Sequence, residues 1–166
     1  MKQSIQLTVN GVTHDLLVES NRTLTQAIRE DLGLTGTKQG CEVGDCGVCT
    51  ILLDGKPVPS CLVLAVQANR HRITTVEGLA NEKGLHPLQS AFVRRGAIQC
   101  GFCTPGMILS AKALLDQKNH PTRQEIRQAL SGNLCRCTGY QKIIDAVEVA
   151  ANELAPKEGG DHGQKG

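Results

Sequence analysis

Polar and apolar residues alternate from Ile5 to Val9, with Ile5, Leu7 and Val9 on one side, the two-residue period of a half-buried strand. Asn10-Gly11 follows, the strongest short signal for a tight hairpin, and Val12 to Val18 reads as the returning strand. Thr23 is placed to cap a helix whose apolar positions are Leu24, Ala27, Ile28 and Leu32. Gly33 and Gly36 close that helix. Gly36 to Gly47 then reads as a loop holding four glycines and two cysteines. Val48 to Leu53 is the next strand, Asp54-Gly55 turns the chain back toward Val58, and Ile73 to Val76 is a last short strand. This order leaves little room for parallel crossovers.

Past Gly78 the period changes from two to that of a helix. Leu85 to Val93 forms one helical stretch, ended by Gly96. Thr104-Pro105 supplies an N-cap and a first-turn proline for a helix from Gly106 to Gln117. Thr122-Arg123-Gln124-Glu125 is a capping box that opens a helix to about Leu130. From Tyr140 to Leu154, the residues Ile143, Ile144, Val147, Ala150, Ala151 and Leu154 recur at helical spacing. Residues 1–77 therefore form one domain, 78–85 a linker and 86–155 a second domain, all helical, with 156–166 a glycine-rich, charged, disordered tail. The fold class is α+β.

Composition narrows what such a chain does. Apolar residues make up 40% of the 166, enough for a folded core. The longest clean apolar stretch, Cys61 to Val66, falls far short of the roughly 20 residues a membrane-spanning helix needs. Met1 to Asn10 has no apolar segment of the secretory type, so a cytoplasmic location is expected. Eighteen basic against 16 acidic residues give a net charge of +2, too balanced for a nucleic-acid or membrane surface. The three aromatic residues, Phe92, Phe102 and Tyr140, are too few for base stacking. The unusual count is eight cysteines. In a reducing cytosol, thiols in tight groups are metal ligands rather than disulfides.

The first group, Cys41, Cys46, Cys49 and Cys61, has the spacing C-x4-C-x2-C-x11-C. Three closely spaced thiolates and a distant fourth are the plant-type solution for a [2Fe–2S] cluster. Gly40, Gly44 and Gly47 let backbone N–H groups approach the sulfurs. A four-cysteine zinc site is the alternative, although only Cys46 and Cys49 form a C-x2-C knuckle. The second group is Cys100, Cys103, Cys135 and Cys137, a C-x2-C pair and a C-x-C pair, each ahead of a predicted helix. Helix N-termini suit an anionic cluster. Zinc or a reactive dithiol also fits this spacing. Two clusters, each near −2 with its four thiolates, would turn the formal +2 into about −2.

Three segments together resemble a known family: Gly40-Cys41 through Cys49-Thr50, Gln99-Cys100-Gly101-Phe102-Cys103-Thr104-Pro105-Gly106, and Gly132-Asn133-Leu134-Cys135-Arg136-Cys137-Thr138-Gly139-Tyr140. They are similar to the small iron–sulfur subunits of the molybdenum hydroxylases, which include xanthine dehydrogenases, aldehyde oxidoreductases and aerobic carbon monoxide dehydrogenases. The likeness runs over roughly residues 3–153. It implies a β-grasp, ferredoxin-like N-terminal domain and a four-helix-bundle C-terminal domain, each with one [2Fe–2S] cluster. It implies a large partner subunit with molybdopterin, a medium partner subunit with FAD, and a dimer of heterotrimers. Electrons would pass one at a time from molybdenum to FAD through the two clusters. The Cys100/Cys103/Cys135/Cys137 cluster would lie nearer the pterin, approached by Gln99 and the Cys137 neighbourhood. Glu42, Val43 and Val48 depart from the commonest family residues without touching a ligand position.

The remaining polar residues add little. His14, His71, His86, His120 and His162 show no ligand spacing and are expected at the surface. Tyr140 is expected to pack in the bundle, with lining an interface the alternative, and Arg136 tunes a cluster by its charge, pairs with a partner carboxylate or is a solvated loop residue. No Ser/His/Asp arrangement, phosphate loop or carboxylate pair stands out, so no substrate pocket is expected in this chain. A free-standing ferredoxin and a zinc-stabilised module are the competing readings. The former needs only the first domain and is usually strongly acidic.

Overall fold

The computed structural model describes residues 1–155. The tail expected over 156–166 lies outside them. The N-terminal half is built on β1 (Lys2–Val9), β2 (Val12–Glu19), β3 (Thr50–Leu53), β4 (Lys56–Pro59) and β5 (Arg72–Thr74), joined in one sheet of order β2-β1-β5-β3-β4. Asn10 and Gly11 both take positive φ, 51° and 84°, which gives the hairpin a twist matching its strands. Ile5, Leu7 and Val9 are buried beneath this sheet, as their alternation requires.

The sheet is mixed, contrary to the expectation of little parallel pairing. β1 runs parallel to β5, with Thr8 opposite Arg72 and Val9 opposite Ile73. The crossover between them is the whole intervening chain, so no local signal announces it. Two further strands are shorter than read: β3 starts at Thr50 rather than Val48, and β5 stops at Thr74 rather than Val76. Val48 instead packs with the helical half.

Thr23 caps α1 (Leu24–Gln26), whose capping box is completed by Gln26. The helix then widens over Ala27–Asp31, which lays Ala27 and Ile28 against the sheet. After a turn at Val76–Leu79 come α2 (Pro87–Arg94), α3 (Thr104–Gln117), α4 (Arg123–Leu130) and α5 (Gln141–Leu154). The capping box of Thr122 and Glu125 opens α4 as expected. Thr104 is the first residue of α3 rather than its cap; the cap position belongs to Cys103. The helical half is closed around Phe92, Met107, Ile126 and Ile143, all fully buried. Val48, Leu52 and Leu79 from the N-terminal half join this same core, and α3 lies on β3. The two halves are therefore packed as one unit, with the cysteine loops on either side of the seam. Among the described residues no helix is long and apolar enough to cross a membrane.

Candidate metal centres

All eight cysteines are free thiols. The first loop turns on Glu42 and Gly44, both at positive φ (59° and 85°). That turn points its N–H groups inward: Cys41 N–H donates to Cys46 Sγ at 3.4 Å and Cys46 N–H to Cys41 Sγ at 3.3 Å. A Cβ at Gly40 would stand 3.0 Å from Cys46 Sγ and 2.8 Å from Val48, so only glycine fits there. Hydrogen bonds from the Val43 and Cys46 N–H groups pull the Cys41 thiol down to about 7. Burial and the neighbouring Cys49 sulfur push Cys61 up to about 11. The four thiols thus meet as two pairs, Cys41 with Cys46 and Cys49 with Cys61.

Ser60 holds the buried Cys49 in place. Its N–H and its hydroxyl both donate to the Cys49 carbonyl, at 3.3 and 2.7 Å. With that proton committed, the 2.6 Å contact to Thr25 is a bond donated by Thr25 to Ser60 Oγ. Neither residue stands out in the sequence, because a buried hydroxyl pair has no period or spacing.

The second group also forms pairs. Cys137 and Cys100 sulfurs lie 3.6 Å apart, and Cys103 faces Cys135. All four line one pocket of about 190 Å³, with Phe102, Leu134 and Arg136. Burial, then the Cys135 sulfur, pushes Cys103 up to about 12. Burial raises Cys135 too, but the hydroxyl and N–H of Thr138 and the N–H of Cys137 outweigh it and leave that thiol below its usual value. The Thr138 contacts are 3.0 Å from the hydroxyl and 3.4 Å from the N–H. Contact with Cys100 holds Cys137 above its usual value.

Tyr140 does more than pack. It sits at φ 67°, and its hydroxyl accepts from Cys135 N–H at 2.8 Å and donates to the Asn133 carbonyl at 3.1 Å. Tyr140→Phe removes both bonds and strands the Cys135 N–H. It should lower the unfolding free energy of the purified complex, read from urea unfolding, by about 1–2 kcal/mol. Gln99 and Arg136 are exposed, as are the apolar Ile98, Phe102 and Leu134. The histidines join neither group. His71 pairs with Asp54 and is exposed, as is His120; His14 is half-buried, and His162 lies outside the described residues. His14 and His86 thus depart from the surface expectation: both are half-buried, and His86 caps α2 through Nδ1.

A [2Fe–2S] unit takes two thiolates on each of two irons, so contacting thiol pairs ringed by N–H donors suit it. Among the described residues, no set of three or more His, Cys, Asp or Glu side chains is gathered to hold a single ion. Two family models match the chain: a 2Fe-2S iron–sulfur cluster binding domain over residues 7–80 and a [2Fe-2S] binding domain over residues 75–148. The nicotinate dehydrogenase small FeS subunit of Eubacterium barkeri is 50% identical over 154 residues, 93% of this chain and 98% of that one. The 6-hydroxypseudooxynicotine dehydrogenase complex subunit beta of Paenarthrobacter nicotinovorans is 54% identical over 140 residues, 84% of this chain and 88% of that one. The quinoline 2-oxidoreductase of Pseudomonas putida 86 contains a chain that superposes with a TM-score of 0.88 at 51% identity, covering 91% of this chain and 94% of that one. The chain belongs to the small iron–sulfur subunits of the molybdenum hydroxylases, the [2Fe–2S] electron-transfer components of these oxidoreductase complexes.

Proposed function

We propose that Cys41, Cys46, Cys49 and Cys61 hold one [2Fe–2S] cluster and that Cys100, Cys103, Cys135 and Cys137 hold the other. The observation that carries this is the arrangement of each group as two contacting thiol pairs. A [2Fe–2S] cluster carries one electron at a time, which lets a two-electron oxidation elsewhere be drained in single steps. The chain's own residues supply the setting. N–H groups of Val43, Asp45 and Cys46 favour charge on Cys41, and those of Cys137 and Thr138 favour it on Cys135. The buried Cys49 and Cys103 keep one side of each site dry.

Residues 1–77 are read as a β-grasp, ferredoxin-like domain, 78–85 as a linker and 86–155 as a four-helix bundle. The partners are a large subunit with molybdopterin and a medium subunit with FAD, assembled as a dimer of heterotrimers. A cytoplasmic location fits eight free thiols. The second site lies toward the pterin. Cys100 and Cys137 are its two exposed thiols, and Ile98, Phe102 and Leu134 form an apolar surface beside them of the kind buried at stable interfaces. Gln99 stands next to Cys100 with its side chain exposed, free to bond outward while Cys100 stays on iron.

Gln99→Ala removes no thiolate, so both clusters should assemble. Rapid mixing of the mutant complex with its substrate should show slower bleaching of the visible iron–sulfur band at unchanged iron content. Wild-type bleaching with full pterin occupancy would show that Gln99 has no part in the contact.

A further inference from the structure

Asn133 lies in the second cysteine loop, two residues before Cys135, yet its side chain is spent on the first loop. Its Nδ2 donates to the Gly47 carbonyl at 2.8 Å and to Thr50 Oγ1 at 3.2 Å. Its Oδ1 accepts from Ser110 Oγ at 2.7 Å. Thr50 Oγ1 in turn donates to the Gly47 carbonyl at 2.7 Å. Asn133, Thr50 and Ser110 are 3%, 7% and 6% exposed, so every one of these bonds is made out of water. The network also fixes which way the amide points: a flipped Asn133 would set two carbonyl oxygens against each other.

On the α3 side the fit is close. A Cβ at Gly106, in the first turn of α3, would come within 2.5 Å of the Gly47 oxygen and 3.0 Å of Asn133 Nδ2. The next residue extends the same seam, since Leu134 N–H donates to the Cys46 carbonyl at 2.8 Å. Two successive carbonyls of the first loop, those of Cys46 and Gly47, are thus bound by residues 133 and 134. A trans peptide directs its N–H opposite to its C=O. The N–H groups of Gly47 and Val48 are therefore turned away from Asn133, in the stretch between the ligand positions Cys46 and Cys49. The direction of N–H groups near thiolates is one of the levers that set a cluster's potential.

We propose that Asn133 is a positioning residue shared by the two centres: from within the second loop it fixes the Gly47 peptide of the first, and so sets both the spacing of the centres and the potential of the first. This rests on the assignment of the two four-thiol sites above. It makes the two halves electronically dependent although all their ligands are separate. A carboxamide is required, because the site needs a donor toward Gly47 and an acceptor toward Ser110 in one planar group.

The test uses the purified complex with its clusters. Asn133→Asp keeps the shape but offers only acceptors to a carbonyl and to a hydroxyl whose proton is already committed. Thr50→Val removes one of the three donors to the same carbonyl, leaving the Thr50 N–H at 3.1 Å and the Asn133 amide, and is the milder variant. Ser110→Ala is the control, since it leaves all three donors to the Gly47 carbonyl. Iron content, midpoint potentials and the magnetic splitting between the two reduced centres in electron paramagnetic resonance are read for each. Asn133→Asp and Thr50→Val should keep full iron, shift the potential of the Cys41/Cys46/Cys49/Cys61 centre and reduce or abolish the splitting. Ser110→Ala should leave both readouts near wild type. Unchanged potentials and splitting at full iron would overturn the proposal. Loss of iron from both Asn133→Asp and Thr50→Val would overturn it too, by assigning the network to folding alone. Failure of the underlying site assignment is distinguishable, because the wild-type complex would then lack one of the two centres.

Discussion

Gly47→Ala should destabilise the chain by about 3 kcal/mol or more, a large fraction of the total stability of a domain this size. Gly47 has φ 68°, where a side chain costs about 1–2 kcal/mol by itself. The methyl group would also stand 2.1 Å from the Gly132 carbonyl and 2.9 Å from Asn133 Nδ2. The first of these is backbone and cannot swing away, so the two cysteine loops must separate; overpacking of this kind adds about 1–3 kcal/mol. Gly55→Ala is the matched control. It has φ 80° but nothing within 4 Å of its would-be Cβ, so only the conformational cost of about 1–2 kcal/mol remains. Urea unfolding of the two variants checks the difference. Gly47→Ala should also release iron, because the loop carries Cys46 and Cys49 on either side of the glycine. Equal destabilisation by the two substitutions would show that the loop contact is soft.

The second large effect is selective loss of one centre. Cys49→Ser replaces a buried sulfur, 2% exposed, by a harder and smaller oxygen that is a poorer ligand for iron. It should lower iron from about four to about two per chain and remove one of the two electron paramagnetic resonance signals of the reduced complex. Cys135→Ser should remove the other. In each case the surviving centre should keep its iron, while the network through Asn133 shifts its signal. Equal loss of both signals from either variant would contradict this and mean that the two halves assemble only together.

What could be read along the chain depended on how local its cause is. The alternation of Ile5, Leu7 and Val9, the Asn10-Gly11 turn and the box of Thr122 and Glu125 each act over a few residues, and the structure contains all three. The pairing of β1 with β5 joins residues more than 60 positions apart over a two-residue register, and nothing near Arg72 signals it. The cysteine spacing identified both groups of thiols. It could not show what orients them: the Thr25–Ser60 hydroxyl pair beneath Cys49, the Tyr140 hydroxyl at the Cys135 N–H, or the Asn133 amide on Gly47. Polar side chains of this kind follow no period. Their partners are chosen by the fold, and Tyr140 even needs a left-handed backbone that its type disfavours.

The central claim is that each four-thiol group holds its own two-iron centre. Iron, acid-labile sulfide and zinc measured together on the anaerobically purified complex, and normalised to this chain after subtracting the partner subunits' metals, test it most directly. Two [2Fe–2S] clusters predict about four irons and four sulfides with no stoichiometric zinc. About two irons and two sulfides, with one zinc making up the remainder, would contradict it and reduce the second group to a structural site.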